Sequence, residues 1–134
     1  KKELKMNYRS SNLKDELIIL KVDFEFEYAS KEEIIRKINS IKLRRESSQP
    51  IKEKTSGSTF KNPPDQFAAD LIEKAGCKGM SIGGASVSKV HSNFIINNGQ
   101  ATALDIEKLG KKIIKKVQEK FGIKLEWEIK IIGT

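Results

Sequence analysis

Residues 94–131 read FIINNGQATALDIEKLGKKIIKKVQEKFGIKLEWEIKI, and three different periodicities follow one another within them. Phe94, Ile95 and Ile96 form a short apolar run that stops at Asn97-Asn98-Gly99, the signature of a buried strand ending in a turn. Ile106, Leu109, Ile113, Val117 and Phe121 then recur at helical spacing, which predicts an amphipathic helix. Thr102 and Asp105 stand three apart just ahead of it, like a capping box, and Gly122 follows it as a stop signal. Beyond Gly122 the period changes to two. Leu125, Trp127, Ile129 and Ile131 alternate with Lys124, Glu126, Glu128 and Lys130, as in a strand with one apolar face.

The same reading extends upstream. Ile18, Leu20, Val22, Phe24, Phe26 and Tyr28 alternate with charged residues and predict a half-buried strand in an antiparallel sheet. Ser30 and Glu33 have capping-box spacing, so a helix is expected from there, with Ile34, Ile35, Ile38 and Ile41 as its buried stripe and an end before Pro50. Residues 44–62 are polar and turn-rich and read as a loop. Pro63 and Pro64 suit the first turn of a second helix, whose apolar face is Phe67, Leu71, Ile72 and Ala75 and whose stop is Gly76. Residues 76–90 read as irregular loop or short strand pieces. The order is therefore strand, helix, loop, helix, strand, helix, strand, an α+β fold class with a small mixed sheet and packed helices.

With 134 residues, the chain suits one compact domain, or one with a short appendage. At 37% hydrophobic and 33% charged it has globular composition. No apolar run reaches the ~20 residues of a membrane span, and Lys1-Lys2-Glu3-Leu4-Lys5 offers no signal-peptide core. A cytoplasmic protein without a membrane partner is expected. Cys77 is the one cysteine, which excludes an intrachain disulfide and a cysteine zinc site and reads as a free thiol. The net charge of +8 points to anionic partners: nucleic acid, phospholipid or a phosphorylated small molecule.

Among the polar segments, Gly57-Ser58-Thr59-Phe60-Lys61-Asn62-Pro63 exceeds a purely structural role. It sits at an expected loop-to-helix junction, where backbone N–H groups attract anions. Lys61 adds a positive charge, Asn62 can donate and accept, and Gly57 lets the backbone approach a ligand. Two readings stay open on local chemistry: a small-molecule or phosphate site, and an ordinary helix cap with nearby charge. Gly79, Gly83 and Gly84 match neither the P-loop nor the dinucleotide fingerprint and read as turn glycines. His91, the one histidine, reads as a hydrogen-bonded structural residue. Lys108, Lys111, Lys112, Lys115, Lys116 and Lys120 read as a solvated helix face. A nucleic-acid face needs exposed aromatics or a groove-shaped element, and most aromatics here lie on apolar faces, so no nucleic-acid partner is expected.

Three separated segments and the chain's close together resemble one family. Tyr8-Arg9-Ser10-Ser11 is similar to its Tyr-Arg-x-Ser motif, and residues 57–63 match its Gly-Ser-x-Phe-Lys-Asn-Pro signature. Val87-Ser88, His91, Asn93-Phe94-Ile95, Asn97, Ala101-Thr102-Ala103 and Asp105 resemble its long C-terminal block. Leu125, Glu128-Ile129 and Ile132-Gly133 resemble its close. On these segments the chain resembles UDP-N-acetylenolpyruvoylglucosamine reductase, in the shorter of the family's two architectures. Trp127 stands where the family has proline, Ser56 where it has alanine, and Val90 where it has lysine.

The resemblance implies a flavoenzyme of peptidoglycan precursor synthesis. NADPH reduces FAD, and the flavin reduces UDP-N-acetylglucosamine enolpyruvate to UDP-N-acetylmuramate. By position, Ser58 falls on the proton-donating serine, Arg9 on the arginine that steadies the substrate carboxylate and enolate, and Glu128 on the catalytic glutamate. Tyr8, Lys61 and Asn62 fall on substrate-side positions, and Arg45 on a basic position near the ligand phosphates. Residues 1–50 would end the FAD-binding region, and 51–134 would form the C-terminal substrate-binding domain. The glycine-rich flavin loops have no counterpart in the sequence, so the resemblance implies the missing FAD-binding region as a partner and an isolated chain without turnover. The alternatives are a non-catalytic UDP-sugar-binding module and a basic nucleic-acid-binding domain.

Overall fold

The computed structural model describes residues 4–14 and 16–133. Lys1, Lys2 and Glu3, part of the charged start considered above, lie outside the described residues. The contacts divide the chain into two units, residues 1–34 and 35–134.

In the first unit, β1 (Met6–Asn7) and β2 (Ser10–Ser11) form a hairpin with Asn7 paired to Ser10. Tyr8 and Arg9 make its two-residue turn, with Arg9 in the left-handed conformation (φ 56°). The Asn12 carboxamide closes the hairpin base by accepting from Lys5 N–H at 2.8 Å. The strand expected over 18–28 does not form. No described residue pairs with this segment, and its apolar side chains stand in solvent, Leu20 at 92% and Phe26 at 81% exposure. Alternation can specify a face, but a strand exists only when a neighbour accepts and donates its backbone hydrogen bonds.

Helix α1 (Lys31–Ser48) begins at the expected capping box: Ser30 Oγ accepts from Glu33 N–H at 3.2 Å, and Glu33 Oε2 accepts from Ser30 N–H at 3.1 Å. It ends before Pro50, as expected. Its stripe of Ile34, Ile35, Ile38 and Ile41 is not buried, however, and each side chain is about half exposed. The segment expected as a loop from residue 44 is helical as far as Ser48, where the Ser47 and Ser48 hydroxyls donate to Arg44 C=O.

The second unit carries the core. Strands β3 (Thr55–Ser58), β4 (Ser81–Ile82), β5 (Ala85–Val87) and β6 (Phe94–Asn97) form one sheet in the order β3-β6-β5-β4. Every pairing is antiparallel, which corrects the expected mixed sheet. The α+β class stands. Two glycines make the β4–β5 turn, with Gly83 at φ +52°. A side chain on Gly84 would strike the Ala101 backbone, and one on Gly83 the Asp105 carboxylate, so this turn is packed against the start of the next helix.

That helix, α3 (Ala103–Phe121), matches its sequence signals. Thr102 and Asp105 form a full capping box, and Gly122 closes the helix in the left-handed conformation (φ 70°), donating to Gln118 C=O. Leu109, Ile113 and Val117 are fully buried against Ala85, Val87 and Ile95 of the sheet and Ile72 of α2 (Ala68–Lys74). Each such side chain contributes roughly 1.5–3 kcal/mol by leaving water. Pro63 and Pro64 precede α2 rather than opening it, and Phe67 is its exposed N-cap residue, not part of its buried face.

The final strand expected at 125–131 is reduced to a single antiparallel bridge, Phe60 to Trp127. Leu125 is buried there, whereas Ile131 is exposed.

Candidate functional site

Residues 57–63 leave β3 and pass between two backbone neighbours. On one side Ser58 pairs with Phe94 of β6, and Thr59 N–H donates to Asn93 C=O at 2.7 Å. On the other, Lys61 N–H donates to Glu126 C=O at 2.8 Å, and Glu128 N–H donates to Thr59 C=O at 2.9 Å. The segment is thus the end of β3 continued to a single bridge at Phe60, not the helix N-terminus that its sequence suggested, since α2 begins only at Ala68. Two aromatics hold it down: Phe60, 2% exposed, lies with its ring centroid 5.0 Å from that of Trp127.

The structure brings four of the expected site residues into this strand pair. Ser58 is half-buried at the end of β3. Lys61 Nζ lies 3.4 Å from Glu126 Oε2, an exposed ion pair that holds the ammonium only weakly. Asn62 Oδ1 accepts from Ala68 N–H at 3.0 Å, so this side chain ties the strand to α2. Glu128 is half-buried, and its Oε2 is shielded from solvent. Arg45 lies on the exposed last turn of α1 rather than in a loop. Tyr8 and Arg9 are in the hairpin turn of the first unit, the Arg9 guanidinium 5.1 Å from the centroid of the Tyr8 ring.

Two residues had no role assigned from sequence. Asn93 is 4% exposed and holds the Phe60 main chain through both ends of its carboxamide. Thr59 is 1% exposed, and its Oγ1 has no hydrogen-bond partner among the described residues. A buried polar side chain within a polar signature was the available signal for both.

His91 has the structural character expected of it. Its Nδ1 accepts from Asn93 N–H at 3.3 Å, and its ring meets that of Phe94 edge to face with centroids 4.7 Å apart. Burial lowers its pKa below the ordinary histidine value, against a smaller opposing effect of Asp70. A cavity of about 520 Å³ lies beside the end of α1, lined by Gln49, Pro50, Lys52, Ser86, Lys89 and Asn98 among others. Ser58, Lys61, Asn62 and Glu128 do not line it. Among the described residues there is no cluster of three metal-ligating side chains, and no helix is long and apolar enough to cross a membrane. The glycines of the β4–β5 turn are occupied by packing, so they form no cradle for a flavin pyrophosphate.

A family profile, UDP-N-acetylenolpyruvoylglucosamine reductase, C-terminal domain, matches residues 49–132, more than half of the chain. The chain belongs to the UDP-N-acetylenolpyruvoylglucosamine reductase family. The enzyme of that name from Rickettsia conorii is 53% identical over 131 residues, covering 98% of the chain and 44% of the relative. The one from Rhodopseudomonas palustris is 50% identical over 131 residues and covered to 42%. The crystal structure of UDP-N-acetylenolpyruvylglucosamine reductase from Thermus caldophilus superposes with a TM-score of 0.78 at 41% identity, over 95% of the chain and 46% of that structure. The chain thus spans less than half the length of these reductases. The α+β architecture is the one that the reductase structure shares.

Proposed function

We propose that the chain is the substrate-binding part of a UDP-N-acetylenolpyruvoylglucosamine reductase, which converts UDP-N-acetylglucosamine enolpyruvate to UDP-N-acetylmuramate for peptidoglycan. The observation that supports this best is the meeting of the signature strand with the terminal segment. Glu128 N–H bonds Thr59 C=O at 2.9 Å, so the terminal segment runs next to the signature segment although most of the domain lies between them in sequence.

In this reading Ser58 protonates the carbon next to the substrate carboxylate. A hydroxyl is a weak acid, but an enolate is a strong base, so the transfer needs geometry more than driving force. Arg9 grips the carboxylate through paired hydrogen bonds and offsets charge as it develops. Lys61, Asn62 and Tyr8 hold the substrate, Arg45 serves its phosphates, and Glu128 is the catalytic carboxylate. The +8 charge suits a pyrophosphate ligand. FAD, reduced by NADPH, supplies the hydride when bound. The packed glycines of the β4–β5 turn offer it no cradle, and it is assigned to the part of the reductase length that the chain does not span.

Calorimetric titration with UDP-N-acetylglucosamine enolpyruvate tests the reading. The expected result is saturable binding that a Ser58→Ala, Lys61→Ala double variant weakens at least tenfold, about 1.4 kcal/mol. Equal binding by both proteins would overturn it. So would preferential, steeply salt-dependent binding of nucleic acid.

A further inference from the structure

Gly110 is buried inside α3, and its backbone is not left-handed. A glycine in a helix interior costs about 1 kcal/mol relative to alanine, so the reason for it here is space. The three atoms nearest to where its Cβ would stand all belong to the Trp127 indole, which the Cβ would overlap. The same indole meets the Phe60 ring, with centroids 5.0 Å apart. Trp127 therefore joins α3 to the signature segment through its side chain. The main chain on either side of it supplies two hydrogen bonds, Lys61 N–H to Glu126 C=O at 2.8 Å and Glu128 N–H to Thr59 C=O at 2.9 Å. Neither uses the main chain of Trp127 itself. So short a strand pairing is marginal in water unless side chains pack behind it. Leu125 is buried just ahead of the bridge, but the chain is exposed from Lys130 to Gly133. The indole is thus the large apolar group that backs the two bonds.

We propose that Trp127 is a positioning residue. Its indole, seated in the notch that Gly110 leaves in α3, holds the terminal segment against the signature segment and so sets the main chains of Lys61 and Glu128 relative to one another. Helix α3 acts on the candidate site through this ring. The proposal rests on the reading of Lys61 and Glu128 as site residues.

The test uses the whole chain and amide hydrogen exchange, read at Lys61 and Glu128 and compared with Ile113 in the core. Trp127→Ala speeds exchange at Lys61 and Glu128 about tenfold more than at Ile113, because the bridge opens locally while the core stays closed. Trp127→Phe, which keeps an aromatic ring, restores most of the protection. Gly110→Ala approaches from the other side. It touches neither hydrogen bond, yet it loosens the same two amides by displacing the ring. In the Trp127→Ala background Gly110→Ala adds nothing at these amides, since the group that carries its effect is gone. If Trp127→Ala does not fold, the same comparison is made in Trp127→Phe, where Gly110→Ala has a smaller effect than in the parent chain. Exchange at Lys61 and Glu128 that keeps pace with Ile113 would mean that Trp127 merely packs, and it overturns the proposal. An effect of Gly110→Ala that is equal in both backgrounds overturns it too. Failure of the reductase reading looks different: UDP-sugar binding is then indifferent to Ser58 and Lys61, whatever the amides do.

Discussion

The Asn93 carboxamide grips the main chain of Phe60 at both ends: Oδ1 accepts from Phe60 N–H at 2.9 Å, and Nδ2 donates to Phe60 C=O at 2.8 Å. It does for the signature strand what a neighbouring strand would do, because β6 begins only at Phe94. The position of Ser58 and Lys61 therefore depends on a side chain from another part of the sequence.

Asn93→Ala removes both hydrogen bonds and leaves the Phe60 N–H and C=O buried. Each orphaned backbone group costs about 1–3 kcal/mol. The expected loss is about 2–4 kcal/mol in urea unfolding, with weaker UDP-sugar binding at concentrations where the variant is still folded. Unchanged stability would mean that the strand is held mainly by the Phe60–Trp127 packing.

Gly110 is buried in α3, and a Cβ there would run into the Trp127 indole. Alanine favours a helix over glycine by ~1 kcal/mol, but overpacking costs about 1–3 kcal/mol. Gly110→Ala should therefore lower the melting temperature rather than raise it. Adding Trp127→Phe should recover part of the loss, since the smaller ring leaves room for the methyl. Because Trp127 adjoins Glu126 and Glu128, the single variant should also weaken ligand binding.

Stability should fall with acid in two stages. The His91 pKa is lowered by burial, so the unfolded chain takes up the proton first, and stability declines as pH drops below about 6.5. Asp105 is held below the usual aspartate value, first by Thr102 N–H, then by the Thr102 hydroxyl, Gly84 N–H and Lys108. A depressed carboxylate contributes stability that is present above about 3.9 and is lost as pH falls through its folded value. Urea midpoints from pH 7 to pH 3 should show both stages. His91→Asn removes the upper stage, and Asp105→Asn shrinks the lower one.

Cys77 is 0% exposed, and burial raises its thiol pKa, partly offset by Lys116 and Lys112. The thiolate is the reactive form, so both accessibility and charge disfavour reaction. Labelling by a thiol reagent should be slow in the native chain and should track the unfolded fraction as urea rises. Fast labelling of the native chain would show that the α2–α3 core opens locally.

Some of this was legible in the residues alone. Helix α3, its Thr102–Asp105 cap, its Gly122 stop and its buried Leu109, Ile113 and Val117 follow from spacings of three to five residues. The Ser30–Glu33 cap was legible for the same reason. A helix satisfies its backbone within itself, so its signals are local. The family signature was equally visible as residue types. What the sequence by itself determined, then, is the helices, the apolar faces and the identity of the candidate site residues.

The tertiary structure decided what those faces meet. Ile18 to Tyr28 alternate as a strand should, yet no described residue pairs with them, and the alternating close from Leu125 earns one bridge only. The clamp of Asn93 on Phe60, the tie from Asn62 to Ala68 and the opposition of Thr59 to Glu128 likewise have no period to reveal them. A strand's hydrogen bonds and a site's geometry belong to residues distant in sequence, so they exist only once the chain has folded around them.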